Sequence, residues 1–88
     1  MEQHLSQYKI FYEVARCGNI SRAAKELYIS QPAISKAISK LEESLGIKLF
    51  SRNSRGVQLT REGAILFQHV NTAFDSIGRG ERELKRIH

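Results

Sequence analysis

The stretch at positions 30–46, SQPAISKAISKLEESLG, places the strongest constraint on the fold. At about 100° per residue, its apolar side chains fall within one arc of a helix. They are Ala33, Ile34, Ala37, Ile38, Leu41 and Leu45. Ser30 is predicted to cap this helix, Pro32 lies in its first turn, and Gly46 ends it. The segment is therefore predicted to be an amphipathic helix with one buried face.

The other face of this helix is polar and rich in serine, which is only a moderate helix former. Short side chains such as Ser35 and Ser39 would let the helix approach closely into a groove, where Gln31 could form hydrogen bonds. Glu42 and Glu43 follow on the same side and are predicted to be solvated surface. The polar face from Gln31 to Ser39 is thus the candidate contact surface.

Upstream residues complete a helix-turn-helix. Apolar residues recur at three- and four-residue steps from Leu5 to Ala15, which predicts a first amphipathic helix that stops at Gly18. Ser21 is predicted to cap a short second helix, RAAKELY. Tyr28 stands where a turn glycine is common in such motifs. Two helices joined by a tight turn, the second with a polar outer face, form a helix-turn-helix.

A small hairpin is predicted after this motif. Leu49-Phe50 and Val57–Leu59 are strand-like, and the turn-rich segment SRNSRG separates them. Arg52 and Arg55 would lie near the tip of this hairpin. A helix-turn-helix followed by a hairpin is a winged helix, and a wing with two arginines suits phosphates or an adjacent minor groove.

Thr60 is predicted to cap a long fourth helix that begins at about Arg61. Its apolar residues step alternately by four and three, which is the pattern of a helix that pairs with another helix. They are Leu66, Val70, Ala73, Ile77, Gly80, Leu84 and Ile87. The last residues, ELKRIH, carry no capping signal, so the sequence is expected to be part of a longer protein.

Most of the net charge of +5 lies in the middle third of the chain. Between Glu26 and Glu62, six basic and two acidic side chains leave a charge of +4. The basic residues are Lys36, Lys40, Lys48, Arg52, Arg55 and Arg61. Charge alone leaves open a solvated basic face and a nucleic-acid interface.

Several function classes find no support. Cys17 is the only cysteine and is predicted to pack rather than react, while His4, His69 and His88 are scattered, so neither a metal site nor a catalytic base is indicated. No cofactor motif is present, and no enzyme is predicted. No apolar run approaches the length of a membrane span, and no signal peptide is recognisable, so a cytoplasmic protein is expected.

The anchored pattern AAxxLxxSQPAxSxxIxxLExxLGxxLFxRxxRxxxLTxxG resembles the amino-terminal DNA-binding region of the LysR-type bacterial transcription regulators. The resemblance covers positions 5–65 in detail, and the remaining helix resembles the family's linker helix. It implies a mainly α fold, with a winged helix-turn-helix at 1–59 and a dimerisation helix at 60–88. It also implies a carboxyl-terminal domain for a small-molecule effector, absent from this sequence.

The resemblance further implies which residues contact double-stranded DNA. In the recognition helix (31–45), the positions that approach base edges and nearby phosphates are Gln31, Pro32, Ala33, Ser35 and Lys36. Ser30 and Ser39 would contact phosphates, as would Arg52 and Arg55 in the wing (50–58). Many members carry arginine where this chain has Lys36. Because lysine is a mobile point charge rather than a bidentate donor, a base contact and a phosphate contact by Lys36 both stay open.

Two copies are expected to pair through the fourth helix and to bind an interrupted-palindrome operator. The dimerisation residues would be Leu66, Val70, Ala73, Ile77, Leu84 and Ile87. The alternative is a winged-helix module that binds another protein and not DNA. The placement of basic residues distinguishes the two, since a module of that kind needs no positive charge on both the recognition helix and the wing.

Overall fold

The computed structural model describes residues 5–88, so His4 lies outside the described residues. The elements are α1 (Leu5–Cys17), α2 (Ile20–Leu27), α3 (Gln31–Leu45), β1 (Phe50–Asn53), β2 (Gly56–Leu59) and α4 (Arg61–Ile87). The two strands form an antiparallel hairpin, the wing, between α3 and α4. This order confirms the predicted mainly α fold, a winged helix-turn-helix followed by a long helix. None of the described helices is long and apolar enough to cross a membrane.

The cap of α2 differs from the prediction. Asn19 occupies the cap position, and its Oδ1 accepts the backbone N–H of Arg22 at 2.9 Å. Gly18 takes a left-handed conformation with φ of 69°, which ends α1 and allows α2 to start at Ile20. Ser21 therefore lies inside the first turn, and its prediction as the cap was wrong. Asparagine and serine are comparable caps, so the position of the preceding glycine decided between them.

The turn between α2 and α3 has Tyr28 in a left-handed conformation, with φ of 58°. Its N–H bonds back to the carbonyl of Lys25, and its side chain is 93% exposed. A non-glycine residue rarely adopts this conformation. Tyr28 thus takes over the role that a turn glycine has in the commoner form of the motif.

Both predicted ends of α3 are confirmed. Ser30 Oγ accepts the N–H of Ala33 at 3.2 Å, and Gly46 ends the helix with φ of 70°. The buried face is narrower than predicted, because Ala33 and Leu45 are exposed. Ala33 lies at one edge of the predicted apolar arc, and Leu45 lies in the last turn. The core residues of α3 are Ile34, Ile38 and Leu41.

The core lies where α1 meets α3, the wing and α4. Phe11 is fully buried, with its ring centroid 5.4 Å from that of Phe50 and 6.5 Å from that of Phe67. Tyr12 stacks on Phe67 at 5.8 Å and contacts Phe74 at 5.1 Å. Aromatic pairs at these separations contribute beyond the area they bury. They hold the first half of α4 against α1 and so place the wing beside α3.

The strands of the wing are longer than predicted, and its turn is shorter. Phe50 pairs with Leu59 and Asn53 with Gly56, so only two residues form the turn. Arg55 lies in this turn, as predicted, whereas Arg52 lies within β1 opposite Val57.

The predicted cap of α4 is confirmed. Thr60 Oγ1 accepts the N–H of Gly63 at 3.0 Å and donates to the carbonyl of Lys48 at 2.7 Å. The first half of α4 packs on the core, where Val70 is buried. Beyond Phe74 the helix is exposed along most of its length.

Candidate nucleic-acid interface

The start of α3 presents a polar, accessible surface. Gln31, Pro32, Ala33 and Lys36 are all exposed, and within residues 5–88 neither Gln31 nor Lys36 has a hydrogen bond or ion pair from its side chain. Ser30 is exposed as well. Although its oxygen caps the helix, its hydroxyl hydrogen stays free to donate to another acceptor. Capping and a ligand contact by Ser30 are therefore compatible.

Further along α3, two side chains of the polar face are short, so they leave room above the helix. Ser35 is half-buried, and Ser39 is exposed one turn later. They line a groove between α3 and the wing together with Ile38, Glu42, Lys48, Phe50, Arg52 and Val57. The groove makes the helix and the wing one continuous surface.

Arg52 spans this groove. Its Nη2 donates to Ser35 Oγ at 3.4 Å, while the rest of the exposed guanidinium has no protein partner among the described residues. An arginine has five N–H donors, so most of them are available to an incoming anion. The second wing arginine, Arg55, is exposed at the turn. Its backbone N–H donates to Asn53 Oδ1 at 2.8 Å, which shapes the turn.

Basic side chains on this surface lack acidic partners. In the part of the chain that the structure describes, no carboxylate lies within ion-pair distance of Lys36, Lys40, Arg52, Arg55 or Arg61. Lys48 alone has one, at 3.7 Å from Glu42, and it is 83% exposed. The predicted excess of positive charge is thus left uncompensated across α3, the wing and the start of α4.

Three basic residues of α1 and α2 contrast with these. Arg16 bonds Glu13 at 2.9 Å and Glu26 at 2.7 Å, and Lys9 and Arg22 approach the same two carboxylates. Hydrogen bonds and charge from Glu13, and then from Glu26, hold the pKa of Arg16 above its ordinary value. Two carboxylates thus bind three of the four basic side chains of α1 and α2, while Lys25 is exposed and has no ion pair among the described residues.

This acidic cluster also contains Cys17, whose Sγ lies 3.6 Å from Glu26 Oε2. Burial raises the pKa of the Cys17 thiol, and the charge of Glu26 raises it further, which agrees with a packing role. Donor atoms of Glu13, Cys17 and Glu26 lie within 4.8 Å of one another, but Arg16 already bonds both carboxylates and supplies their counter-charge. The sequence did not reveal this cluster because its members lie on two helices.

Glu42 is the residue whose role sequence reasoning missed. It was predicted to be solvated surface, yet its side chain is only 11% exposed and accepts the backbone N–H groups of Leu49 and Phe50. The chain reverses at Gly46 and returns over residue 42, a path that no local pattern indicates. Glu43 is exposed, as predicted.

The proposed pairing residues of α4 fall into two groups. Val70 belongs to the chain's own core and Leu66 packs against it, so these two have little surface for a partner helix. The others are exposed: Ala73, Ile77, Leu84 and Ile87. These exposed residues lie from the middle of α4 to its end.

Comparisons with known proteins agree with this geometry. A family model described as "Bacterial regulatory helix-turn-helix protein, lysR family" matches residues 5–64. Over 80 residues the chain is 42% identical to the uncharacterized HTH-type transcriptional regulator y4mQ of Sinorhizobium fredii, covering 91% of this chain and 27% of that protein. Over 78 residues it is 45% identical to the probable cat1 operon transcriptional activator of Acinetobacter lwoffii, covering 89% and 25%.

A solved structure supports the same likeness. The protein chain in the crystal structure of a BenM_DBD/catB site 1 DNA complex matches this one with a TM-score of 0.83 at 35% identity, covering 94% of this chain and 93% of that chain. The chain spans about a quarter of the length of the curated relatives named above.

Proposed function

The chain belongs to the lysR family of bacterial regulatory helix-turn-helix proteins, and on this premise we propose that it binds double-stranded DNA as part of a transcription regulator. In this proposal α3 enters the major groove while the wing lies along the backbone or the adjacent minor groove. The observation that carries it is that exposed basic side chains without acidic partners among the described residues flank the exposed polar start of α3, on α3 itself, the wing and the start of α4.

Base edges would be read from the start of α3. The exposed carboxamide of Gln31 can form a paired hydrogen bond with adenine, and the methyl group of Ala33 can contact a thymine methyl. Pro32 and Ser35 are small enough to allow this approach. Lys36 is exposed and can reach either a guanine or a phosphate, and the two contacts stay open.

Phosphate contacts would fix the register of the helix in the groove. The free hydroxyl hydrogen of Ser30, the hydroxyl of Ser39 and the two wing arginines, Arg52 and Arg55, supply donors on both sides of the groove. Such contacts release counterions, so the binding constant would fall steeply as salt rises.

Two copies would pair through the exposed second half of α4. A symmetric pair places two recognition helices on successive major grooves, which calls for half-sites about 10 base pairs apart or a multiple of that spacing. The operator would be an interrupted palindrome. A separate domain outside this sequence would bind the effector. The protein would act in the bacterial cytoplasm.

A module that binds proteins and not DNA would need another kind of surface. The exposed part of α3 carries Gln31, Lys36, Ser39 and Lys40, with no large apolar side chain among them until Leu45 in the last turn. No catalytic role is proposed, because the polar side chains of this surface are not paired as an acid, base or nucleophile would be.

The test measures binding of the 88-residue chain to short duplexes of random sequence by fluorescence anisotropy, over a range of salt. We expect binding that weakens as salt rises. Arg52→Ala should lower the salt slope by about one, because it removes a proposed phosphate contact. Lys9→Ala removes the same charge from a site already paired with Glu13, and it should leave the slope unchanged. Absence of binding at low salt would contradict the proposal.

A further inference from the structure

We propose that Glu42 is a positioning residue, which fixes the wing against α3 so that Arg52 lies beside the recognition helix for contact with phosphate. The inference rests on the proposed function, since it concerns how the same surface is assembled. It assigns a role in DNA binding to an acidic residue that would itself repel the ligand.

The Glu42 carboxylate is held at the point where the wing begins. Its Oε2 accepts the N–H of Leu49 at 2.7 Å and that of Phe50 at 3.2 Å. Its other oxygen lies 3.7 Å from Lys48 Nζ. Hydrogen bonds to an ionised acceptor are roughly twice as strong as those between neutral groups. One helix side chain thereby binds the backbone of two consecutive residues at the start of β1.

The wing has few other attachments to α3. Phe50 is the only buried residue of β1, and the three that follow it are exposed. The bond from Arg52 to Ser35 is long, at 3.4 Å, and lies on the surface. Val57, which pairs with Arg52, holds β2 in the core, but a tilt of β1 at Phe50 would still carry the Arg52 side chain away from the helix. The Glu42 bonds oppose that tilt.

Glu42 also lies on the face of α3 that borders the groove. Ser35, Ser39 and Glu42 follow one another at steps of four and three, so they share one side of the helix. All three line the groove that Arg52 spans. Glu42, which binds the base of the wing, and Ser35, which accepts from Arg52, therefore lie on the same helix.

Charge and positioning predict opposite effects when this carboxylate is neutralised. Removing a negative charge near DNA strengthens binding if only the electrostatic field matters. Glu43 provides the matched control, because it is the next residue of the same helix, is exposed, and has no side-chain bond among the described residues. Glu43→Gln should leave binding unchanged or strengthen it, whereas Glu42→Gln should weaken it.

The experiment uses the 88-residue chain and random-sequence duplexes at low salt, with far-UV circular dichroism to verify folding. We expect Glu42→Gln to weaken binding by about tenfold to a hundredfold, the size of losing one charge-assisted contact. It should also lower the salt slope by about one, as Arg52→Ala does. The double variant should bind no more weakly than Arg52→Ala alone, because both changes remove the same contact.

The inference would be overturned if Glu42→Gln bound the duplex as tightly as Glu43→Gln. It would also be overturned if the affinity losses of Glu42→Gln and Arg52→Ala added in the double variant. If Glu42→Gln does not fold, Glu42→Asp is the second variant, because its shorter side chain keeps the charge but moves the carboxylate away from the wing. The double variant of Glu42→Asp with Arg52→Ala must then bind no more weakly than Arg52→Ala alone. A wild-type chain that binds no duplex would overturn both the proposed function and this inference. Binding that is sensitive to Arg52 but not to Glu42 would overturn the inference alone.

Discussion

Gly63, in the first turn of α4, lies directly against the backbone carbonyl of Leu49. A β-carbon at residue 63 would overlap with that oxygen and would also press on the side chain of Leu59. Thr60, three residues earlier, donates its backbone N–H to the same carbonyl at 2.9 Å. The start of α4 is thus fitted closely to the base of the wing.

Gly63→Ala should therefore destabilise the fold. Overpacking against the backbone costs about 1–3 kcal/mol, more than the roughly 1 kcal/mol that alanine gains in helix propensity. Urea unfolding followed by circular dichroism measures the difference. Gly78→Ala is the matched control, because its β-carbon would meet only the end of the flexible Arg82 side chain, at 3.4 Å. That variant should be as stable as the wild type or more so.

Gln31→Ala should reduce sequence preference rather than general affinity. On a site selected by the wild-type chain we expect a loss of roughly 1–3 kcal/mol, because one bidentate base contact disappears. On random duplexes the loss should be small. Gln68→Ala removes an exposed glutamine from α4 and should change neither affinity. Equal losses on both kinds of DNA for Gln31→Ala would contradict a base-reading role.

Ile77→Asp should prevent pairing of two copies without unfolding the chain. Ile77 is 54% exposed in the second half of α4, so the charge would face a partner helix rather than the core. Sedimentation velocity should show a monomer with unchanged helix content. Ser76→Asp adds the same charge to the adjacent exposed position outside the heptad pattern and should leave the dimer intact. A dimer that persists in Ile77→Asp would refute the assignment of this face.

The thiol of Cys17 should react slowly at neutral pH. Burial and then the Glu26 carboxylate raise the pKa of this thiol, and only the thiolate attacks an alkylating reagent. The rate with iodoacetamide should therefore rise with pH around a midpoint above that of an ordinary cysteine. Glu26→Gln removes the second cause, so its midpoint should move to lower pH, whereas Glu43→Gln should leave it in place. A wild-type midpoint at or below the ordinary range would contradict the assigned surroundings.

Local signals in the sequence predicted much of the fold. The caps Ser30 and Thr60 and the helix-ending Gly46 all act within three or four residues, and the structure confirms each of them. The error at Ser21 came from the same kind of signal, because Asn19 two residues earlier was an equally good cap. Local chemistry therefore fixes the type of element more firmly than its first residue.

Features that depend on packing between elements were not predictable in this way. Glu42 and Glu43 are adjacent acidic residues of one helix, and only the return of the chain after Gly46 separates a largely covered acceptor from a solvated acid. Val70 fits the heptad pattern as well as Ile77 does, but α1 covers the first half of α4 and leaves the second half free. Periodicity identifies an apolar face without identifying what covers it.

The most direct test of DNA recognition is selection from a pool of random duplexes by the 88-residue chain, followed by sequencing of the retained DNA. We expect enrichment of an interrupted palindrome with half-site centres about 10 base pairs apart, or a multiple of that spacing. We also expect Gln31→Ala to reduce this enrichment while keeping salt-dependent binding. Retained DNA without any common sequence, or no retention at low salt, would contradict sequence-specific binding by α3.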